Sequence, residues 1–210
     1  MENKNYKDIR TSYEKSSLRA EDLDQNPLNA FENWFNIAIK SNVAEPNAMV
    51  LSTVNSKGTP SSRVVLIKEI SKEGIVFYTN YNSKKGLEIK ANPNVSILFF
   101  WQELQRQVRI EGKVIKNSQE DSDEYFYSRP IESQLGAMAS EQSSVLQNRD
   151  ELEFKFDQLD KEHPKRPANW GGYIVIPEYF EFWQGRANRL HDRISYSKRN
   201  NIWEIDRLSP

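Results

Sequence analysis

The chain has 210 residues and 24.6 kDa, and its 29 Lys and Arg against 30 Asp and Glu leave a net charge of −1. That balance excludes a generally basic nucleic-acid coat and a polybasic membrane binder, and 5 Trp, 9 Tyr and 10 Phe argue against disorder. With no Cys and two His there is no disulfide, no thiol catalysis and little from which to build a metal site. No apolar run approaches the roughly 18 residues of a membrane span, and the N-terminus has no apolar stretch of the secretory kind. The expectation is a cytoplasmic, metal-free protein with neither nucleic-acid nor membrane partners.

Residues 1–25 are polar and read as an arm ahead of a single domain over 26–210. Asn26 suits a helix cap and Pro27 a first helical position, and Leu28, Phe31, Trp34, Phe35 and Ala38 recur at helical spacing. From Met49 the period becomes that of strands: Met49–Val54, Ser61–Glu69 and Ile75–Asn80, joined by Asn-Ser-Lys-Gly and Lys-Glu-Gly turns. A short helix fits Ser83–Ala91. Val95–Trp101 is almost wholly apolar and predicts a strand buried on both faces. Gln107–Lys116 alternates, with Val108, Ile110 and Val114 on one side. Ser118 caps a helix through Ser128, and a second starts near Pro130. A charged helix is predicted over Asn148–His163, with Leu152, Phe156 and Leu159 as its stripe. Strands return at Tyr173–Ile176, Tyr179–Trp183, Arg189–Ser197 and Trp203–Asp206. Strands in both halves with helices between them predict a mostly β, α+β fold: a β-barrel decorated with helices.

Five segments could carry chemistry. On an extended chain Arg189, His191 and Arg193 share one face, a cationic patch suited to an anionic or electron-rich ring; a solvated strand of alternating charge would read the same. Arg63 and Lys68 in RVVLIK fall on opposite faces of a regular strand, so one strand could address two anions, or carry two ordinary end-of-strand cations. Lys84 and Lys85 sit where a strand hands over to a helix, and free N–H groups at a helix start favour phosphate. Tyr125 and Arg129 stand at i, i+4, with Ser133 in the first turn of the next helix: a second phosphate site, or a capped helical corner. Gln142 and Ser143 lie in a polar stretch that by itself reads as a loop. Neither G-x-G-x-x-G nor G-x-x-x-x-G-K-[ST] occurs.

Taken in order, these segments resemble the pyridoxamine (pyridoxine) 5'-phosphate oxidase family over almost the whole chain. The ordered set comprises R-x-x-Y at Arg10 and Tyr13, R-V-V-L-I-K, F-Y-T-N, R-Q-V, Y-F-x-S-R-P, Q-S-S, W-G-G, E-F-W-Q-G, R-L-H-D-R and a terminal D-R-L-S-P. The resemblance implies an FMN-binding split β-barrel that works as a homodimer with flavin at the subunit interface. It implies that Arg63, Lys85, Gln142 and Ser143 hold the FMN phosphate with Lys84 beside them. Val64, Val65, Leu66, Ile67, Lys68, Tyr78 and Thr79 would line the flavin, and Gln107, Trp183 and Arg193 would contact its ring or ribityl chain. Lys68, Tyr125, Arg129 and Ser133 would take the substrate phosphate. Arg189 and His191 would flank the pyridine ring as catalytic residues with Arg193, and Arg10 and Tyr13 would close over it. The family usually carries Arg where this chain has Lys84, which keeps the charge and loses the bidentate fork. The implied reaction oxidises pyridoxine or pyridoxamine 5'-phosphate with O2. The rival is a non-catalytic flavin- or tetrapyrrole-binding split barrel, which would need the FMN set but not Tyr125, Arg129, Ser133, Arg189 and His191 together.

Overall fold

The computed structural model describes Lys7 and residues 11–210. Arg10 therefore lies outside the described residues. Among the described residues the five α-helices are α1 (Pro27–Lys40), α2 (Lys84–Ala91), α3 (Gln119–Ser128), α4 (Ile131–Ala139) and α5 (Arg149–Asp157). The nine strands are β1 (Ala48–Val54), β2 (Pro60–Leu66), β3 (Glu69–Ile70), β4 (Ile75–Asn80), β5 (Asn94–Trp101), β6 (Arg106–Lys116), β7 (Trp170–Gln184), β8 (Asp192–Arg199) and β9 (Ile202–Arg207). In hydrogen-bonding order they read β2-β1-β5-β6-β7-β4-β3, with β8 on β7 and β9 on β8. No helix among the described residues is long and apolar enough to cross a membrane.

The chain divides into two compact units. One comprises the described residues up to Pro46 with Leu98–Arg109 and Tyr179–Pro210; the other comprises Asn47–Ile97 and Ile110–Glu178. In the first unit, the Asn26 side chain accepts the Leu28 N–H at 2.9 Å and Pro27 opens α1, so the cap works as its chemistry demands. The apolar stripe then buries Phe31, Trp34 and Ala38. Phe31 meets Phe99 at 5.0 Å and Trp34 meets Phe182 edge-on at 5.2 Å, which makes an aromatic core under α1. The segment before α1 also packs: Leu18 and Leu23 are buried, and Tyr196 donates to the Asp24 carbonyl at 2.8 Å. In the second unit β1 pairs antiparallel with β2 from Ala48–Leu66 to Val54–Pro60, and β4 pairs antiparallel with the first part of β7.

Four element expectations need correction, besides the strand expected over Arg189–Ser197, which starts at Asp192. The strand predicted over Ser61–Glu69 stops at Leu66, because the Ile67 N–H bonds to Asn47 while the Lys68 N–H bonds to Val76: the chain changes pairing partner between the two. β5 is not buried on both faces; Val95, Ile97, Phe99 and Trp101 point in, while Phe100 is 50% exposed. The two strands expected over 173–183 are one strand, β7. Pro177, which has no N–H to give a ladder, falls between the residues paired with β4 and those paired with β8. The helix predicted over Asn148–His163 ends at Asp157, because the Asp160 carboxylate accepts the Glu162 and His163 N–H groups and offers the backbone a turn instead.

Candidate active site

The unit formed by 47–97 and 110–178 encloses a cleft of 1070 Å³. Its lining includes five cationic side chains, Arg63, Lys68, Lys84, Lys85 and Arg129, and no carboxylate. β2 contributes Arg63, Val64, Val65 and Leu66, and β4 contributes Tyr78 and Thr79. Of the RVVLIK residues only Ile67 is absent from the lining; it is buried, 4% exposed. The expectation that Arg63 and Lys68 address opposite faces fails, since the switch of pairing partner between Ile67 and Lys68 brings both to this one cleft.

The start of α2 builds one end. Ser83 caps the helix by accepting the Gly86 N–H, and the first turn turns Lys85 inward while Lys84 stays exposed. Lys85 is 7% exposed and donates to Gln142 Oε1 at 3.0 Å and Thr79 Oγ1 at 3.2 Å; Thr79 also donates to Gln142 Oε1. Its contacts are neutral oxygens, so burial first and the nearby Arg63 second push its pKa down. Ser143 follows with φ 75°, left-handed backbone that turns the polar loop back onto the cleft. Arg63 is gripped from behind: its Nη1 donates to Leu51 O and Thr53 Oγ1, its Nη2 to Ser61 Oγ and Glu88 Oε2.

The ends of α3 and α4 build the other group. Tyr78, Tyr125 and Trp170 stack, with Tyr78 and Tyr125 4.0 Å apart at 22° and Tyr78 and Trp170 5.6 Å apart at 16°. Arg129 is not on the helix with Tyr125 but caps it in extended conformation, its guanidinium 4.8 Å over the Trp170 ring. One of its terminal nitrogens is buried and has no hydrogen-bond partner among the described residues, and burial pushes the guanidinium pKa down. Ser133 sits in the first turn of α4, and the Lys68 ammonium is 5.9 Å from the Tyr125 ring centroid.

The remaining expected residues lie in the other unit. Trp183 and His191 are 4.6 Å apart, Tyr13 meets Trp183 edge-on at 5.8 Å, and a Cβ on Gly185 would come within 2.6 Å of the Tyr13 ring. His191 Nδ1 accepts the Arg186 N–H at 3.1 Å, so the neutral ring carries its proton on Nε2. Burial and then the charge of Arg189 hold its pKa below the usual imidazole value. Arg193 forks onto Glu181 at 2.8 and 3.1 Å and donates to the Ser209 carbonyl. The single strand face expected for Arg189, His191 and Arg193 is not there: β8 starts only at Asp192, and Arg189 stands in a left-handed turn at φ 62°. Gln107 is half-buried on β6 and does not line the cleft.

Four residues escape the sequence reading. Glu88 and Glu181 are buried carboxylates that fix Arg63 and Arg193. Burial pushes the Glu181 carboxyl up, but the Arg193 hydrogen bonds and charge, with Arg109, outweigh it and hold it low. Asp192 gathers the Leu18 N–H, Arg186 and Arg207. Trp170 floors the cleft; only its place in W-G-G drew attention to it.

A cleft lined by cations and hydroxyls, with an aliphatic strand and stacked aromatics between them, fits a phosphorylated planar cofactor. Residues 35–162 match the family model described as pyridoxamine 5'-phosphate oxidase, and residues 170–210 match the pyridoxine 5'-phosphate oxidase C-terminal dimerisation region. The pyridoxine/pyridoxamine 5'-phosphate oxidase of Bordetella pertussis is 54% identical over 207 residues, covering 97% of this chain and 98% of its own; that of Paraburkholderia phytofirmans is 48% identical over 208 residues, with the same coverage. Among solved structures, PhzG from Burkholderia lata, in complex with tetrahydrophenazine-1-carboxylic acid, superposes with a TM-score of 0.88 at 30% identity, covering 93% of this chain and 98% of that one. A pyridoxamine 5'-phosphate oxidase-related, FMN binding protein from Nostoc punctiforme shares the fold, with a TM-score of 0.73 at 15% identity over 90% of this chain and 100% of that one. The fold is that of the FMN-binding split barrels, and the protein is an oxidoreductase with FMN as its cofactor. Within that class, the chain belongs to the pyridoxamine 5'-phosphate oxidase family.

Proposed function

We propose that the protein oxidises pyridoxine 5'-phosphate and pyridoxamine 5'-phosphate to pyridoxal 5'-phosphate in the cytoplasm. The alcohol and O2 give the aldehyde and hydrogen peroxide; the amine, O2 and water give the aldehyde, hydrogen peroxide and ammonia. The observation that carries this reading is that two groups of cationic and hydroxyl donors line one carboxylate-free cleft, since FMN and a phosphorylated vitamer bring two phosphates. Lys85, Arg63, Gln142 and Ser143 would hold the FMN phosphate with Lys84 at the rim, and Val64, Val65, Leu66, Tyr78 and Thr79 would line the flavin. When bound, FMN would supply the two-electron redox chemistry between the substrate C4' and oxygen.

The chain's own residues bind and orient. Arg129, Lys68, Tyr125 and Ser133 would grip the substrate phosphate, and one buried Arg129 nitrogen is a donor with no hydrogen-bond partner among the described residues. His191 would offer an Nε2–H to the pyridine ring, since its Nδ1 is occupied by the Arg186 N–H. Arg189 would flank the same ring, Arg10 and Tyr13 would close over it, and Gln107, Trp183 and Arg193 would face the flavin. The dimerisation region at 170–210 supports a homodimer, which would share FMN at its interface. Fixing both rings in advance lowers the entropic part of the barrier.

The test is oxygen uptake by the FMN-loaded protein. Consumption with pyridoxine 5'-phosphate, matched by peroxide and aldehyde, is the expected result. Uptake only with phosphate-free acids such as the one bound by the Burkholderia lata protein, or none with any vitamer, would overturn the reading.

A further inference from the structure

Among the described residues, Arg63 is the one cation of the cleft held by a carboxylate that is not itself part of the lining. α2 turns two charged residues inward one helical turn apart: Lys85 toward Thr79 and Gln142, and Glu88 toward β1 and β2. Glu88 is 6% exposed. Its Oε2 accepts from Thr53 Oγ1 at 2.5 Å, Ser61 Oγ at 2.7 Å and Arg63 Nη2 at 3.2 Å. The same two hydroxyls accept from Arg63, Thr53 Oγ1 from Nη1 at 2.6 Å and Ser61 Oγ from Nη2 at 2.5 Å. Each hydroxyl has one proton and spends it on Glu88, so each meets the guanidinium with its lone pairs. With the Leu51 carbonyl on Nη1, the four terminal N–H groups of Arg63 are all engaged, which leaves Nε–H and the net charge for a ligand in the cleft.

We propose that Glu88 is a positioning residue that acts through Thr53, Ser61 and Arg63 to hold the guanidinium in the orientation in which it binds the FMN phosphate. The inference rests on the assignment of Arg63 to that phosphate. Without the Glu88 oxygen, the two hydroxyls lose the acceptor that orients them and the guanidinium loses its fixed frame. A flexible cation gives up more entropy on meeting a phosphate than a preorganised one. Burial pushes the Glu88 carboxyl up, but the hydrogen bonds from Thr53, Ser61 and Arg63 and the Arg63 charge outweigh it, so the group stays ionised and an acceptor.

The experiment measures dissociation constants of FMN and riboflavin for the apoprotein by quenching of flavin fluorescence; riboflavin presents the same ring without the phosphate. Glu88→Ala is expected to weaken FMN roughly ten- to a hundred-fold, the range for lost hydrogen bonds to a charged group, and to leave riboflavin unchanged. Glu88→Gln, which keeps an acceptor oxygen, should retain FMN affinity within a few-fold. In a double-mutant cycle, Arg63→Ala with Glu88→Ala should bind FMN no worse than Arg63→Ala alone, because Glu88 works through Arg63. Equal losses for FMN and riboflavin in Glu88→Ala, full additivity in the cycle, or a Glu88→Gln loss as large as that of Glu88→Ala would overturn the proposal. If Arg63→Ala binds FMN normally, the assignment of Arg63 itself falls and the proposal with it; if Arg63→Ala is weak and Glu88→Ala normal, the proposal alone falls. Should Glu88→Ala not fold, Ser61→Ala takes its place, expected to weaken FMN several-fold and spare riboflavin, with equal losses again the overturning result.

Discussion

Arg129 combines a buried nitrogen, unpartnered among the described residues, with a cation–π contact on Trp170, and a buried donor left unpaired costs about 1–3 kcal/mol. An anion that accepts from it recovers that cost, so the residue should matter to binding more than to folding. Arg129→Ala is expected to lower kcat/KM for pyridoxine 5'-phosphate roughly ten- to a hundred-fold with flavin content unchanged, as steady-state oxygen uptake and flavin absorbance would show. Arg129→Lys should restore little, because an ammonium offers no planar fork of donors. His191 makes a prediction about pH. Its folded pKa lies below the unfolded value, from burial and then Arg189, and the neutral ring accepts the Arg186 N–H. The stability this contributes is complete above about pH 6.5, the unperturbed imidazole value, and is lost as pH falls through the lower folded pKa. An NMR titration should give His191 a midpoint below 6.5 and, while it is neutral, the Nε2–H tautomer; a midpoint above 6.5 would contradict the geometry.

Elements whose pattern is local were readable in advance, and those set by distant pairing were not. α1 was legible because its cap, its proline and its aromatic stripe all lie within fifteen residues, and the cations at 63, 84, 85 and 129 were legible because short local strings carry them. The end of β2 depends on Ile67 and Lys68 bonding to Asn47 and Val76, and the late start of β8 on Asn188 and Arg189 at positive φ, neither of which the strand period foretells. Glu88 and Glu181 were missed because a buried carboxylate looks like a surface one until its partner is known. A comparison of two caps tests how far elements share stability. Asn26 and Asn148 each accept one backbone N–H, from Leu28 and Glu151, but α1 buries five residues while α5 buries none within the chain. Losing a cap costs about 1 kcal/mol. Asn26→Ala should therefore lower Tm by roughly 2–4 °C, whereas Asn148→Ala should leave it unchanged, since α5 can fray without opening a core. Equal shifts in calorimetry would show that α5 is tied to the core after all.

At the scale of the whole molecule, the residues assigned to one reaction fall into two groups that the chain builds separately. Lys85, Arg129 and the cleft belong to one unit, and Trp183, His191 and Arg193 to the other. The second group lies largely within 170–210, the segment that matches a dimerisation region. A single copy also leaves apolar side chains in water: Val64 is 64% exposed, Phe100 50% and Phe154 66%. Scattered apolar exposure is ordinary, but the match to a dimerisation region, with the proposal that the flavin uses both groups, points to a second copy as its cover. An obligate interface of this kind buries upwards of roughly 2,000 Å² and makes cofactor retention depend on protein concentration. Light scattering on the yellow protein should give twice the 24.6 kDa of one chain, and dilution far enough to produce monomer should release FMN in step with dissociation. If a monomer retains FMN with undiminished affinity, one copy suffices for the cofactor and the shared-interface reading is wrong. If a dimer persists while Trp183→Ala and Arg193→Ala leave flavin spectrum and affinity unaltered, the second group serves something other than the flavin.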